Sequence, residues 1–111
     1  MQQEVRVRTG FGDGSFTDEY VKFEGREVEV WEGVRDSIDP DYQFSYTVRL
    51  YECPDGYRVH ETIESLSPGQ ENDYALYPVI GHPDSPDLVY VTCTKEEARE
   101  KQGGHFGYLL D

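Results

Sequence analysis

The amino-acid sequence predicts an α+β fold, in which an antiparallel β-sheet of about six strands, curled or barrel-like, carries one short C-terminal helix. Three observations support this. Several short segments alternate apolar and polar residues, which is typical of half-buried strands. The connections between them are of hairpin length, which leaves no room for the crossovers that parallel strands need. A single capping-box sequence marks a helix start near the C-terminus. We expect residues 1–111 to form one domain, because two domains of half this size would each lack a sufficient core.

The first three predicted strands lie in the N-terminal third of the chain. Residues 4–8 alternate between charged residues and valines, and the glycine-rich segment 10–14 ends this strand. Residues 20–23 and 27–31 are two further alternating segments, and the short connection between them contains Gly25. This connection predicts that the two segments form a β-hairpin.

A second hairpin is predicted around residues 54–56. Residues 44–51 alternate so regularly that one strand face should carry four core side chains, namely Phe44, Tyr46, Val48 and Leu50. The sequence Pro-Asp-Gly that follows favours a turn, with Gly56 taking a positive φ. Residues 57–63 then return as the partner strand. Residues 33–42, between the two hairpins, have the composition of a loop.

The C-terminal third contains the predicted helix. Pro78 interrupts an apolar segment and predicts an edge strand or an irregular packing segment, because proline lacks the amide that an inner ladder needs. Residues 88–93 are apolar at successive positions, which favours a central or well-covered strand. Thr94 and Glu97 predict a capping box, and the helix should run to about residue 102 and pack through Ala98. The apolar tail 105–110 is expected to dock on the domain.

The charge of the chain limits its partners. There are 23 acidic and 10 basic residues, a formal net charge of −13. Nucleic acids and anionic membranes both attract clustered lysine and arginine, so neither is expected to bind directly. The charge favours a basic protein surface as the partner. The alternative is an accessory domain adapted to high salt, whose acidity has no partner at all.

The sequence also indicates where the protein acts. It has neither the pattern of a signal peptide nor an apolar run of about 20 residues. We therefore expect a cytoplasmic protein, as a monomer or a homodimer.

Metal binding and catalysis form a third class of function. Cys53, Cys93 and the three histidines are spaced too widely for the usual structural zinc motifs. Residues 13–24 place four oxygen ligands at calcium-loop positions, but the glycine that such a loop requires is replaced by Asp18. The common motifs of hydrolases and nucleotide-binding loops are absent from the sequence. We expect no cofactor, no metal and no catalytic residue, while a small enzyme or metal-binding domain built from dispersed residues stays open.

The candidate binding surface is acidic. The candidate residues are Asp18, Glu19, Glu24, Glu27, Glu29 and Glu32. On the strand that contains residues 27–31, the glutamates should form a row opposite buried Val28 and Val30. A rigid row of carboxylates can imitate a phosphate backbone and occupy a basic groove.

The sequence therefore predicts a non-enzymatic binding or regulatory protein, for example a phage-encoded inhibitor that acts as a nucleic-acid mimic on a nucleic-acid-processing complex. The competing interpretation is that the acidic row faces water and discourages aggregation between sheet edges.

Overall fold

The computed structural model describes residues 1–10, 15–36, 43–66, 72–80 and 89–100 of the protein. The strands are β1 (Gln2–Gly10), β2 (Phe16–Glu24), β3 (Arg26–Asp36), β4 (Gln43–Cys53), β5 (Gly56–Ser65), β6 (Asp73–Tyr77), β7 (Val79–Ile80) and β8 (Val89–Tyr90). The helix α1 comprises residues 95–100. The predicted fold class is confirmed, since antiparallel strands dominate and one short helix follows them. The barrel-like curling stays a prediction.

The strands form three antiparallel ladders. β1 and β2 pair over their whole length as a two-stranded ribbon. The central sheet has the strand order β3-β4-β5-β6, and β7 pairs with β8. β1 packs beside β6 but belongs to a different ladder.

The hairpin predicted over residues 20–31 is wrong. β2 pairs with β1 and β3 pairs with β4, so the two segments lie in different ladders. Gly25 alone separates them, and one residue is too short to reverse the chain within a sheet. The Gly25 amide donates to the Met1 carbonyl at 3.0 Å, and an added Cβ would lie 3.0 Å from Cys53 Sγ. Glycine therefore allows the chain to pass closely from the ribbon into the central sheet.

The second predicted hairpin is confirmed. β4 pairs with β5 from Phe44–Ser65 to Cys53–Gly56. Leu50 is fully buried, Tyr46 and Val48 are buried, and Phe44 is half-buried. Gly56 has a φ of +152°, as the turn sequence predicted. A residue other than glycine rarely adopts this backbone conformation.

The loop predicted over residues 33–42 begins later than expected. β3 continues to Asp36, which pairs with Gln43. The equally long β4 accounts for this extension. Pairing with β4 gives the backbone amides and carbonyls of residues 33–36 hydrogen-bond partners, whatever turn-forming side chains those residues carry. Residues 37–42 lie outside the described residues, as do residues 11–14 of the predicted glycine-rich loop and the tail 105–110.

Two hydrophobic cores lie on opposite faces of the central sheet. The ribbon face is covered by β1 and β2, and its core contains Val5, Val7, Phe23, Tyr51, Cys53 and Leu76. The helix face is covered by α1, and its core contains Tyr46, Val48, Leu50, Val59 and Ala98. This division follows from the strand pleat, since successive side chains of β4 point to opposite faces.

β6 is an edge strand of the central sheet, as Pro78 predicted. It ends at Tyr77, and the Tyr77–Pro78 peptide bond is cis.

The well-covered strand predicted over residues 88–93 is wrong. β8 contains two residues, and its Val89 side chain is 55% exposed. The remaining apolar residues serve different contacts: Tyr90 packs against the ribbon-face core, whereas Cys93 packs against the helix-face core and forms a bridge with Tyr57. Residue 88 lies outside the described residues.

The capping box at the start of α1 is confirmed. The Glu97 amide donates to Thr94 Oγ1 at 3.1 Å, and the Thr94 amide donates to Glu97 Oε1 at 3.4 Å. Ala98 is fully buried, so the helix packs through the residue that the sequence indicated. The expected end of the helix near residue 102 lies outside the described residues.

Candidate functional site

The candidate acids on β3 lie on an edge strand. β3 is eleven residues long and pairs with β4 along one side. Among the described residues, no strand pairs with its other side. Such an edge presents unpaired backbone amides and carbonyls to whatever lies beside it.

A β-bulge separates the acids of β3 onto two faces. Glu27 lies opposite Tyr51, and Glu29 lies opposite Leu50. Two residues that are two positions apart on β3 therefore pair with two adjacent residues on β4. A bulge adds one residue to a strand and thereby reverses the alternation of its side chains. Glu27 and Glu32 therefore share the ribbon face with Tyr51, while Glu29 shares the helix face with Leu50.

The expectation that Val28 and Val30 are buried opposite an acidic row is wrong. Val28 is 37% exposed and Val30 is 41% exposed. Val28 is the bulged residue, and Val30 lies opposite Arg49 in the ladder. The edge therefore offers apolar surface as well as carboxylates.

Two of the three β3 glutamates form ion pairs within the protein. Arg49 Nε donates to Glu27 Oε1 at 2.8 Å. Arg99 Nη2, on the helix, donates to Glu29 Oε1 at 2.7 Å. Glu32 is exposed and forms no ion pair with any side chain that the structure describes. Among the three β3 glutamates, Glu32 is thus the one most readily available to a partner.

Asp18 belongs to a separate cluster on the ribbon. It lies opposite Arg8 in the ladder, and its carboxylate accepts hydrogen bonds from Arg8 Nε at 2.7 Å and from the Arg6 guanidinium. The Arg8 and Arg6 hydrogen bonds hold the pKa of Asp18 well below its usual range. This carboxylate is neutralised within the fold.

Aromatic rings complete the Asp18 cluster, and sequence reasoning missed it. The Arg8 guanidinium lies 3.9 Å from the centre of the Phe16 ring and donates to the Asn72 carbonyl at 2.8 Å. The Arg6 guanidinium lies 4.5 Å from the centre of the Tyr74 ring. The alternation of Arg6 and Arg8 places both on one strand face, but the sequence gives no signal that β6 supplies the tyrosine.

Glu19 and Glu24 lie apart from the β3 edge. Glu24 Oε1 accepts from the Met1 ammonium at 2.7 Å, and both groups are exposed. Glu19 is exposed, lies opposite Val7 on the ribbon, and forms no ion pair in the described part of the chain. The six candidate acids therefore do not form one surface: three lie along β3 and three lie along β2.

An open space lies on the helix face of β3. A Cβ added at Gly33 would have no other atom within 4 Å. Trp31 precedes it on the same face and packs half-buried against the helix-face core. The edge strand thus combines an aromatic side chain with an unfilled position beside it.

The described residues contain no group of three or more metal-binding side chains close enough to share an ion. Cys53 and Cys93 are free thiols, and burial raises the pKa of Cys53. The calcium-loop match fails because β2 is an extended strand, which separates Ser15 from Glu24 by about 30 Å. Asp13, the first residue of that match, lies outside the described residues.

No helix in the described stretches is long and apolar enough to cross a membrane. Comparison of the chain with protein-family models, with curated proteins and with solved structures finds no match.

Proposed function

We propose that this protein is a non-enzymatic, acidic binding protein that engages a basic surface on a partner protein in the cytoplasm. The observation that carries the proposal is the charge and how the fold distributes it. The chain has a net charge of −13. Five of its seven arginines are engaged by carboxylates of the same chain, namely Arg6, Arg8, Arg26, Arg49 and Arg99.

These internal pairs argue against direct binding to nucleic acid. A nucleic-acid surface needs guanidinium and ammonium groups that are free to contact phosphates. Here five guanidinium groups lie against carboxylates, so the described surface offers little free positive charge to the phosphates of a nucleic acid. The excess acids remain exposed and create a field that attracts basic proteins over several ångströms.

A nucleic-acid-binding protein is the class of partner that fits this field best, because its groove concentrates positive charge. Occupation of that groove would block nucleic acid, and the protein would then act as an inhibitor or regulator of the complex. The β3 acids lie on both faces of an edge strand. The contact that we propose is therefore made along an edge and not by one flat acidic face.

The experiment is affinity capture from a nuclease-treated lysate of the source organism at about 0.1 M salt, where screening over about 10 Å still permits attraction. We expect one stoichiometric basic protein, released by rising salt. The complex with that protein, once purified, should be weakened more by Glu32→Lys than by Glu4→Lys. Glu4 is an exposed acid of the ribbon, and the Glu4→Lys control changes the net charge equally.

Two outcomes would reject the proposal. Retention that does not depend on salt would show that charge does not direct the interaction. If no protein is retained and the domain unfolds when salt is withdrawn, the acidity is an adaptation to a salty cell interior, where screening offsets self-repulsion.

A further inference from the structure

Resting on the proposed function, we propose that the open edge of β3 binds an extended segment of the partner by strand addition, and that this segment alternates basic and apolar side chains. A strand added to a sheet edge gains affinity from backbone hydrogen bonds and specificity from alternate side chains. β3 offers both outward-pointing backbone groups and side chains on its two faces.

The backbone of β3 is suitable for a ladder after the bulge. Residues 29–36 pair with β4 one for one, without a further shift of register. The alternate amides and carbonyls of this stretch that do not face β4 point to the open side. A regular run of eight residues is longer than many natural strands, whose usual length is about 5–6 residues.

The side chains beside the edge differ on the two faces. On the ribbon face, an added strand would meet Val30 and Glu32, with Glu27 beyond the bulge. On the helix face, it would meet Glu29, which Arg99 contacts, then Trp31 and the open space at Gly33. Because side chains of an added strand alternate between the faces, basic residues would meet Glu27 and Glu32 on the ribbon face and apolar residues would meet Trp31 on the helix face.

The charge of the whole chain favours this occupant over a second copy. Pairing of two β3 edges would bring together two copies that each carry a net charge of −13. Like charges on neighbouring strands are destabilising, whereas opposite charges are stabilising. Glu32 is the β3 glutamate that an incoming cation meets without displacing an arginine among the described side chains, since Glu27 contacts Arg49 and Glu29 contacts Arg99.

The bulge and the glutamates also protect the edge from self-association. This protection is compatible with strand addition. The negative charge that repels another copy attracts a basic segment, and the bulge disturbs only the first residues of β3.

The test uses the full chain and a synthetic nine-residue peptide that alternates lysine and valine. Hydrogen exchange and chemical shifts of the protein amides are recorded at about 0.05 M salt, since weak screening favours the contact. We expect the outward amides of residues 29–36 to exchange at least tenfold more slowly in the saturated complex. The control peptide has identical side chains but is N-methylated at two adjacent central residues, which removes a donor from each of its edges. It should not give this protection.

A charge variant tests the side-chain contacts. Glu32→Lys should weaken peptide binding on the order of 2- to 10-fold, as expected for replacing one surface attraction by a repulsion. Glu64→Lys makes the same charge change on β5, an inner strand, and should have a smaller effect.

Each contrary result has a distinct meaning. If the methylated peptide binds as well as the unmodified one, binding depends on charge alone; strand addition is then wrong and the proposed function stands. If the outward amides of β3 are already protected in the free protein, the edge is occupied and the inference fails. If neither peptide binds at low salt, the inference is overturned, while the proposed function is decided separately by the capture experiment.

Discussion

His60 makes the stability of this protein depend on pH, with a direction that follows from its contacts and an upper limit set by the binding of one proton. The imidazole lies on β5 between the central sheet and the ribbon, and it is 7% exposed. Its Nε2–H donates to the Arg6 carbonyl at 2.7 Å. Burial lowers the pKa of His60, the Arg6 carbonyl partly opposes this, and the neighbouring Arg49 guanidinium lowers it further.

The sign of the effect follows from proton binding. In the unfolded chain an imidazole takes up a proton near pH 6.5, whereas the folded protein keeps His60 neutral until a lower pH. As the pH falls below 6.5 the unfolded state binds more protons, and the free energy of unfolding decreases. One proton limits the loss to about 1.4 kcal/mol per pH unit, so lowering the pH from 7.5 to 5.5 should cost at most about 1.4 kcal/mol.

The perturbation is His60→Gln, which keeps an N–H donor for the Arg6 carbonyl and does not titrate. The assay is urea unfolding between pH 7.5 and 5.5, followed by the fluorescence of Trp31, the only tryptophan in the chain. The native protein should lose stability on acidification by up to about 1.4 kcal/mol more than the variant. The comparison cancels the contributions of the other two histidines and of the carboxylates. Equal pH slopes in the two proteins would refute the reasoning.

Three further predictions concern the core, the turn and the ribbon. Leu50→Ala should lower the free energy of unfolding by about 2–5 kcal/mol in urea unfolding, because it empties a fully buried site; a cost under about 1 kcal/mol would contradict this. Gly56→Ala should destabilise by about 1–3 kcal/mol, since φ is +152° and the new Cβ would lie 2.7 Å from Thr92 Cβ. The matched control Gly33→Ala, where the space is open, should be neutral or stabilising. Asp18→Asn should lower the melting temperature at pH 7. The depressed pKa of Asp18 contributes stability above about pH 4 that is lost on further acidification, so the variant should also show a weaker acid dependence below that pH.

Local patterns predicted the parts of the fold that depend on local chemistry. The alternation in β4 predicted its helix-face core side chains correctly, because every second residue of a strand points to the same face. It did not predict the second core, to which Tyr51 and Cys53 of the same strand contribute on the ribbon face. Gly56 and the Thr94–Glu97 capping box were identified from short sequences whose geometry each segment determines almost alone. These elements need no information from distant parts of the chain.

The failed hairpin shows what such patterns omit. The sequence around Gly25 resembles a hairpin connection, but its conformation is decided by contacts with Met1 and Cys53, which are far away in sequence. Two alternating segments separated by a glycine are compatible with a turn and with a passage between sheets. Only the pairing of β1 with β2 distinguishes them, and that pairing is a tertiary choice.

The prediction of the candidate site also depended on contacts between distant residues, and those contacts decide which substitution can test the site. Composition gives the total charge but does not tell which carboxylates are already bound by arginines. Charge reversal at Glu27 would break its contact with Arg49 and place two cations together, so a loss of binding there would combine a change in protein stability with lost attraction. Glu32 has no such contact with a side chain that the structure describes. A partner that binds through the β3 edge should therefore respond to Glu32→Lys while the stability of the protein changes by less than about 0.5 kcal/mol, the usual range for a surface substitution.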